Sequence, residues 1–183
     1  MNFEEKTINS KKIYTGNITE YEVQTVELPN GEKATREIVW HDDAAAVLAI
    51  EDNKMLFVKQ YRKPIEKISV ELPCGLIESD EQPIEAANRE LEEETGYRAK
   101  DLNYVTSFYN SPGFTNEKLY IYKATEIEKV EQPLEQDPDE TIEVLKLTYE
   151  EAWDYLEQGY ISDSKTVLAL YYWKLIKAGE LDV

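Results

Sequence analysis

Residues 75–97 read GLIESDEQPIEAANRELEEETGY, and the rest of the chain is organised around them. Pro83 suits a first helical turn. Ile84, Ala87 and Leu91 recur at i, i+3 and i+7 as a narrow apolar stripe, and Gly96 stands where a left-handed cap would end a helix. The spacing therefore predicts a helix that both starts and stops inside the stretch. Within it Glu90, Glu93 and Glu94 fall at i, i+3 and i+4 and share one face, with about 6 Å of rise between the first and the last. Like charges so placed cost a bare helix roughly a few tenths of a kcal/mol per pair. A hard divalent cation that prefers oxygen ligands is the simplest way to reverse that sign.

In a chain of formal net charge −18 a glutamate run is ordinarily a solvated face. The order of residues argues for more. Gly75, then Glu81, then Arg89-Glu90-Leu91-Glu92-Glu93-Glu94-Thr95-Gly96-Tyr97 resembles the Nudix box, the signature of the Nudix hydrolases, at every charged and glycine position. Only Tyr97 departs, standing where an aliphatic residue is more usual. The resemblance implies an α/β fold, the Nudix α/β/α sandwich with a mixed sheet, and Mg²⁺-dependent pyrophosphate hydrolysis with Mn²⁺ as a possible substitute. It also implies a ligand set: Glu90 and Glu94 directly, Glu93 directly or through water, and the backbone carbonyl of Cys74. Glu81 would fix the loop or bind a further ion, and Arg89 would hold the glutamates in position, which places Arg89 and Glu93 in the catalytic group.

Composition narrows the choice of partners. A charge of −18 excludes nonspecific nucleic-acid or anionic-membrane binding, since both require clustered Lys and Arg. It also means that a pyrophosphate would be repelled unless a bound cation inverted the local field, so metal dependence follows from charge as well as from the motif. Cys74 is the only cysteine and His41 the only histidine. An internal disulfide and a Cys/His zinc site are thereby excluded. The opening MNFEEKTINSKK has no apolar core and no apolar run approaches a membrane span, so a cytoplasmic protein is expected.

Taken in order, residues 1–42 form one expected domain and 43–183, the hydrolase domain, another. From about 11 to 40 the sequence alternates, with Pro29-Asn30-Gly31-Glu32 as a tight turn, and predicts a small antiparallel meander too poor in apolar residues to stand alone. The ADP-ribose branch of the family builds a homodimer with such a sheet and uses it in the adenine pocket. On that likeness a homodimer is expected and Trp40 is the candidate for stacking on the base, with burial against a partner as the alternative.

Residues 44–50, 55–61 and 68–72 read as core strands. Gln60-Tyr61-Arg62 resembles the segment that precedes the box in ADP-ribose pyrophosphatases, so Arg62 is assigned to the diphosphate, whose oxygens a guanidinium fork matches. Glu71 also fits that branch, orienting the loop or bonding ribose. Strands are expected at 102–110 and 118–124. The loop between them, Ser111-Pro112-Gly113-Phe114-Thr115, is similar to the marker of the same branch, which puts Pro112 and Gly113 at the substrate.

Residues 125–140 hold two prolines and many acids and predict a mobile loop, followed by a strand at 142–147. Thr148-Tyr149-Glu150-Glu151 reads as a capping box opening a helix. A last helix at about 164–178 presents Val167, Leu168, Tyr171, Leu175 and Ile176 as its buried side. In the ADP-ribose branch the general base is a glutamate on the late loop, here Glu140, with Asp139 and a box glutamate open as alternatives. His41-Asp42-Asp43 departs from the His-Pro-Gly turn common in that branch, which bears on substrate. ADP-ribose is thus the expected substrate, giving AMP and ribose 5-phosphate. Another nucleoside diphosphate derivative, such as a nucleotide sugar or dinucleotide, and a non-catalytic ADP-ribose sensor are the alternatives.

Overall fold

A computed structural model describes residues 2–138 and 140–181, so Asp139 lies outside the described residues. The chain divides into two compact units, residues 1–43 with 108–118 and residues 44–107 with 119–183.

The first unit is a three-stranded antiparallel sheet in the order β1 (Lys6–Thr15), β2 (Thr19–Glu27), β3 (Lys33–His41). Its first strand begins five residues earlier than the alternation suggested, because β1 is exposed on both faces and carries no inside-outside pattern to read. The expected turn before β3 is made with Gly31 at φ 84°, its N–H donating to the Leu28 carbonyl at 2.8 Å. Segment 108–118 belongs to this unit as well. Phe114 accepts from the Val39 N–H at 2.8 Å, the Asn116 side chain exchanges two bonds with the backbone of His41, and Asp43 accepts from the Lys118 N–H. The outer edge of β3 is thus partly satisfied by a loop rather than a strand.

The second unit is built on a seven-stranded mixed sheet. β4 (Ala44–Glu51), β5 (Lys54–Arg62), β9 (Lys118–Lys129), β8 (Tyr97–Tyr109) and β10 (Glu143–Thr148) run in the order β10-β5-β4-β9-β8, with β6 (Lys67–Glu71) paired to β5 and β7 (Cys74–Leu76) to β4. Only the β4–β9 pairing has a parallel register among those resolved residue by residue. Alanines at 44, 45, 46 and 49 keep β4 slim, and α1 (Pro83–Thr95) settles on it, Ala86, Ala87 and Leu91 meeting Ala45, Val47, Ala49 and Leu56. Strand alternation sends Leu48, Met55 and Phe57 to the opposite face, where they are buried as completely, as are Ala169, Leu170 and Trp173 of α3 (Ser164–Lys177). α2 (Tyr149–Glu157) opens with the expected capping box, Thr148 and Glu151 bonding one another's backbone. No helix among the described residues is long and apolar enough to cross a membrane.

Three expectations are corrected. Ile84 is 43% exposed and Ala86 takes its place in the buried stripe of α1. On α3 the buried side is Lys165, Thr166, Ala169, Leu170 and Trp173, while Tyr171 and Leu175 face outward. That helix is apolar nearly all round, so both sets satisfy a 3.6-residue period, and buried polar bonds from Lys165 and Thr166 decide between them. Third, β9 continues to Lys129 with Ile127 buried, shortening the late loop that was expected to begin at 125.

Leu91→Ala should lower unfolding free energy by about 3 kcal/mol and Ile84→Ala by less than about 0.5 kcal/mol, as read by urea denaturation; equal losses would mean that α1 is seated on a different face.

Candidate active site

The helix that carries the box is fixed at both ends by backbone chemistry. Pro83 occupies its first turn, the Gln82 and Glu85 side chains form a reciprocal capping box, and Gly96 closes it at φ 73° with its N–H on the Glu92 carbonyl. Beside it β7 pairs with β4, Ala46 opposite Cys74 and Ala45 opposite Gly75. The need for glycine at 75 is steric. A Cβ there would run into the Glu90 carboxylate, so the missing side chain is what lets that acid lie flat against the strand.

Arg89 ties the acids together. Its Nε and Nη2 donate to the two oxygens of Glu81 at 3.0 Å each, Nη1 donates to Glu90 at 2.7 Å and Glu93 at 2.8 Å, and Nη2 also reaches the Leu76 carbonyl at 2.9 Å. All five guanidinium N–H groups are thereby engaged. These bonds hold the Glu81 carboxyl below its ordinary range. Glu90 and Glu94 go the other way. Burial, opposed by Arg89 and reinforced by the charges of Glu93 and Glu140, pushes Glu90 up to about 7. Burial likewise pushes Glu94 up to about 8 although its Oε2 accepts from the Cys74 N–H at 2.8 Å, with Glu140 and Glu90 adding to the rise. Glu140 is thus close enough to act electrostatically on both. Burial raises the Cys74 thiol to about 12, so it is neutral and no nucleophile.

A second charged cluster lies next to the first. Arg62 forks onto Glu71 with bonds of 2.8 and 2.9 Å, and Lys165 donates to the same carboxylate at 2.6 Å. Burial alone would raise the Glu71 carboxyl, but the Arg62 hydrogen bonds and the Lys165 charge hold it at about 2. Arg62 in turn lies within electrostatic reach of Glu94.

In the first unit Trp40, Tyr109, Pro112, Gly113 and Phe114 line a cavity of about 850 Å³. The Trp40 Nε1 donates to Glu22 at 3.0 Å. Of the residues read from the sequence, then, Glu81, Arg89, Glu90, Glu93, Glu94 and Cys74 come together on α1 and β7. Arg62 and Glu71 join as a pair, Glu140 reaches the acids through its charge, and Trp40, Pro112 and Gly113 share a cavity in the other unit.

Family comparison agrees with the geometry. The NUDIX domain model matches residues 40–170. The chain belongs to the Nudix family. It is 46% identical over 177 residues to a methanol dehydrogenase activator of Bacillus methanolicus, covering 96% of each chain. It is also 46% identical over 176 residues to an ADP-ribose pyrophosphatase of Bacillus subtilis, covering 96% of this chain and 95% of that one. A crystal structure of an ADP compounds hydrolase superposes with a TM-score of 0.87 over the whole of both chains at 24% identity, a likeness of fold.

Nudix hydrolases generally need a divalent metal, and the donor set here fits one. Two buried carboxylates whose protons are held up to about 7 and 8 are short of positive charge, and every candidate donor is a hard oxygen. Among the described residues no three such side chains form a ready-made cage, since Glu81, Glu90 and Glu93 are all turned onto Arg89.

Two buried charged residues beside these clusters were not read from the sequence. Glu92, 3% exposed, accepts from Arg98 at 2.7 Å and from the Leu134 N–H at 3.2 Å, tying the late loop to the box helix. Its place within an acidic run gave no sign of that. Lys165 looked like any lysine in a first helical turn, although Asp163 just before Ser164 is a legible helix cap.

Two outcomes follow from this geometry. Gly75→Ala should displace Glu90 and reduce kcat/KM by about 100-fold while the melting temperature changes little; near-normal turnover would show that Glu90 tolerates the shift. Glu90 and Glu94 bind protons more tightly folded than unfolded, where the value is 4.5. Their stabilising contribution is therefore complete below about pH 4.5 and lost as pH rises through about 7 to 8. Without divalent ions the melting temperature should fall by roughly 3 °C or more between about pH 5.5 and 8.5, and Glu94→Gln should flatten that slope.

Proposed function

We propose that this chain is a Mg²⁺-dependent ADP-ribose pyrophosphatase, cleaving ADP-ribose to AMP and ribose 5-phosphate. The observation that carries the reading is the placing of Glu90 over Gly75 and of Glu94 on the Cys74 N–H, beside the Arg62–Glu71 fork. Similarity over almost the whole chain to a protein named ADP-ribose pyrophosphatase supports the substrate.

In this reading Glu90 and Glu94 hold Mg²⁺, with Glu93 direct or through water and the Cys74 carbonyl completing the protein's share; Glu81 fixes the loop or serves a further ion. The bound ion supplies a nucleophilic water and neutralises phosphate charge. Arg89 keeps the acids from springing apart when they are all ionised. Arg62 grips the diphosphate, and Glu71 aims the guanidinium. Water attacks phosphorus, its proton passes to the Glu140 carboxylate, and the bond from phosphorus to the bridging oxygen breaks. A box glutamate is the competing base. Trp40 stacks on the base of the nucleotide, with Pro112 and Gly113 lining the same cavity.

The same reading makes the protein a cytoplasmic homodimer. Val26 is the only buried apolar residue of the first unit among the described residues, while Ile8, Ile13 and Tyr14 are open to solvent. Such a sheet is stable when a second copy covers it.

One observation favours a second reading: the methanol dehydrogenase activator is as similar as the pyrophosphatase. Under it the hydrolytic site serves to activate a dehydrogenase.

Product release should be measured for ADP-ribose, ADP-glucose, GDP-mannose, NADH and a dinucleoside polyphosphate, with Mg²⁺ and with chelator. ADP-ribose should be preferred, and both chelator and Glu94→Gln should lower kcat by about 100-fold or more. Preference for a nucleotide sugar would replace the substrate and leave the site standing. Tight binding of ADP-ribose without turnover would make the chain a sensor, and stimulation of methanol dehydrogenase would support the second reading.

A further inference from the structure

Arg62 presents a difficulty as a diphosphate ligand. Its guanidinium is already committed through Nε and Nη2 to Glu71, a carboxylate that is only 3% exposed and fully ionised. A guanidinium and a carboxylate joined in a fork are neutral together. A neutral pair would offer little attraction to a dianionic substrate in a chain of net charge −18, with the acids of α1 close by.

The third member of the cluster resolves this. Lys165 is 8% exposed, in the first turn of α3, and places Nζ 2.6 Å from the Glu71 Oε2 that also accepts from Arg62. Glu71 is therefore shared by two cations, and the three groups carry a net charge of +1. Lys165 has one other acid partner, Asp163, at 3.0 Å. That acid is itself engaged, since the oxygen that meets Lys165 also caps α3 by accepting the Thr166 N–H at 3.1 Å. The positive end of the helix takes up part of the Asp163 charge. What is left of the lysine charge is directed at Glu71.

We propose that Lys165 is a positioning residue for substrate binding: by neutralising Glu71 from its buried side it frees the Arg62 charge for the diphosphate. This rests on the reading of Arg62 given above. The anchorage is rigid as well as electrostatic. Thr166, the next residue, accepts from the Leu72 N–H at 2.9 Å, so the first turn of α3 is bonded to both ends of the Glu71–Leu72 step. A flexible surface lysine would spend most of its time hydrated; this one has a single seat.

The test is a double-mutant cycle on steady-state kinetics with ADP-ribose and Mg²⁺. Lys165→Met should raise KM about tenfold, equivalent to about 1.4 kcal/mol, with kcat within about twofold. In a Glu71→Gln background, where there is no charge to neutralise, the same substitution should raise KM by less than about twofold. Additive effects in the two backgrounds would mean that Lys165 serves only packing and would overturn the proposal. Should Lys165→Met fail to fold, as judged by its melting curve, Lys165→Gln, which keeps a hydrogen bond to Glu71 but no charge, replaces it in the cycle with the same expected outcomes. Arg62→Ala in the same assay separates the two levels. A KM unchanged by Arg62→Ala would reject the assignment of Arg62 and the proposal with it. A KM raised by Arg62→Ala and unmoved by both Lys165 variants would reject the proposal alone.

Discussion

One guanidinium holds the centre of this molecule in place. Arg89 bonds three carboxylates and a main-chain carbonyl from the middle of α1, and without it Glu81, Glu90 and Glu93 would be driven apart by their own charge. The planar fork with five fixed donors suits this task in a way that the single point charge of a lysine would not. The bond to Leu76 also ties the helix to the end of β7, so the acids are placed relative to the strand as well as to each other. Gly75 completes the arrangement by leaving room for Glu90 where any side chain would intrude.

Buried ion pairs of this kind contribute little net stability, because the cost of removing charges from water offsets most of their attraction. Their effect is on geometry. The apolar core that seats α1 on β4 supplies the stability, through Leu91 and the small residues facing it. The charged clusters then fix which way each side chain points. This division of labour explains why Glu90 and Glu94 can be left with raised proton affinities in the same helix that Leu91 holds firmly.

What could be read from the sequence follows the same division. The limits of α1, its cap at Gly96, the capping box at Thr148 and the grouping of Arg89 with the glutamates were legible because each rests on residues adjacent in the chain. The buried side of α3 was not. Tyr171 and Leu175 have the right period and the wrong face, and the choice was made by Lys165 and Thr166 bonding to residues more than ninety positions away. Glu92 escaped for a related reason. Its partners, Arg98 and Leu134, lie beyond the helix, and nothing in a run of four acids and a leucine marks one glutamate as buried. Long-range polar contacts leave no periodic trace, so periodicity finds the core and misses what the core is aligned against.

A chain of −18 has to solve the same problem at every anionic ligand it meets. Uniformly raising the number of lysines would solve it at the cost of attracting every polyanion in the cell. The alternative adopted here is local. Beside the box helix two arginines are each held in one orientation by carboxylates, Arg89 by three and Arg62 by one, and at the Arg62 cluster a buried lysine keeps the acid from cancelling the arginine. At the α1 cluster the imbalance runs the other way, with acids in excess of the single arginine, which is the condition under which a divalent cation is drawn in. The two clusters therefore differ in their balance of charge and are adjacent in space. In the proposed function that is the arrangement that holds a metal and the phosphate it acts on side by side.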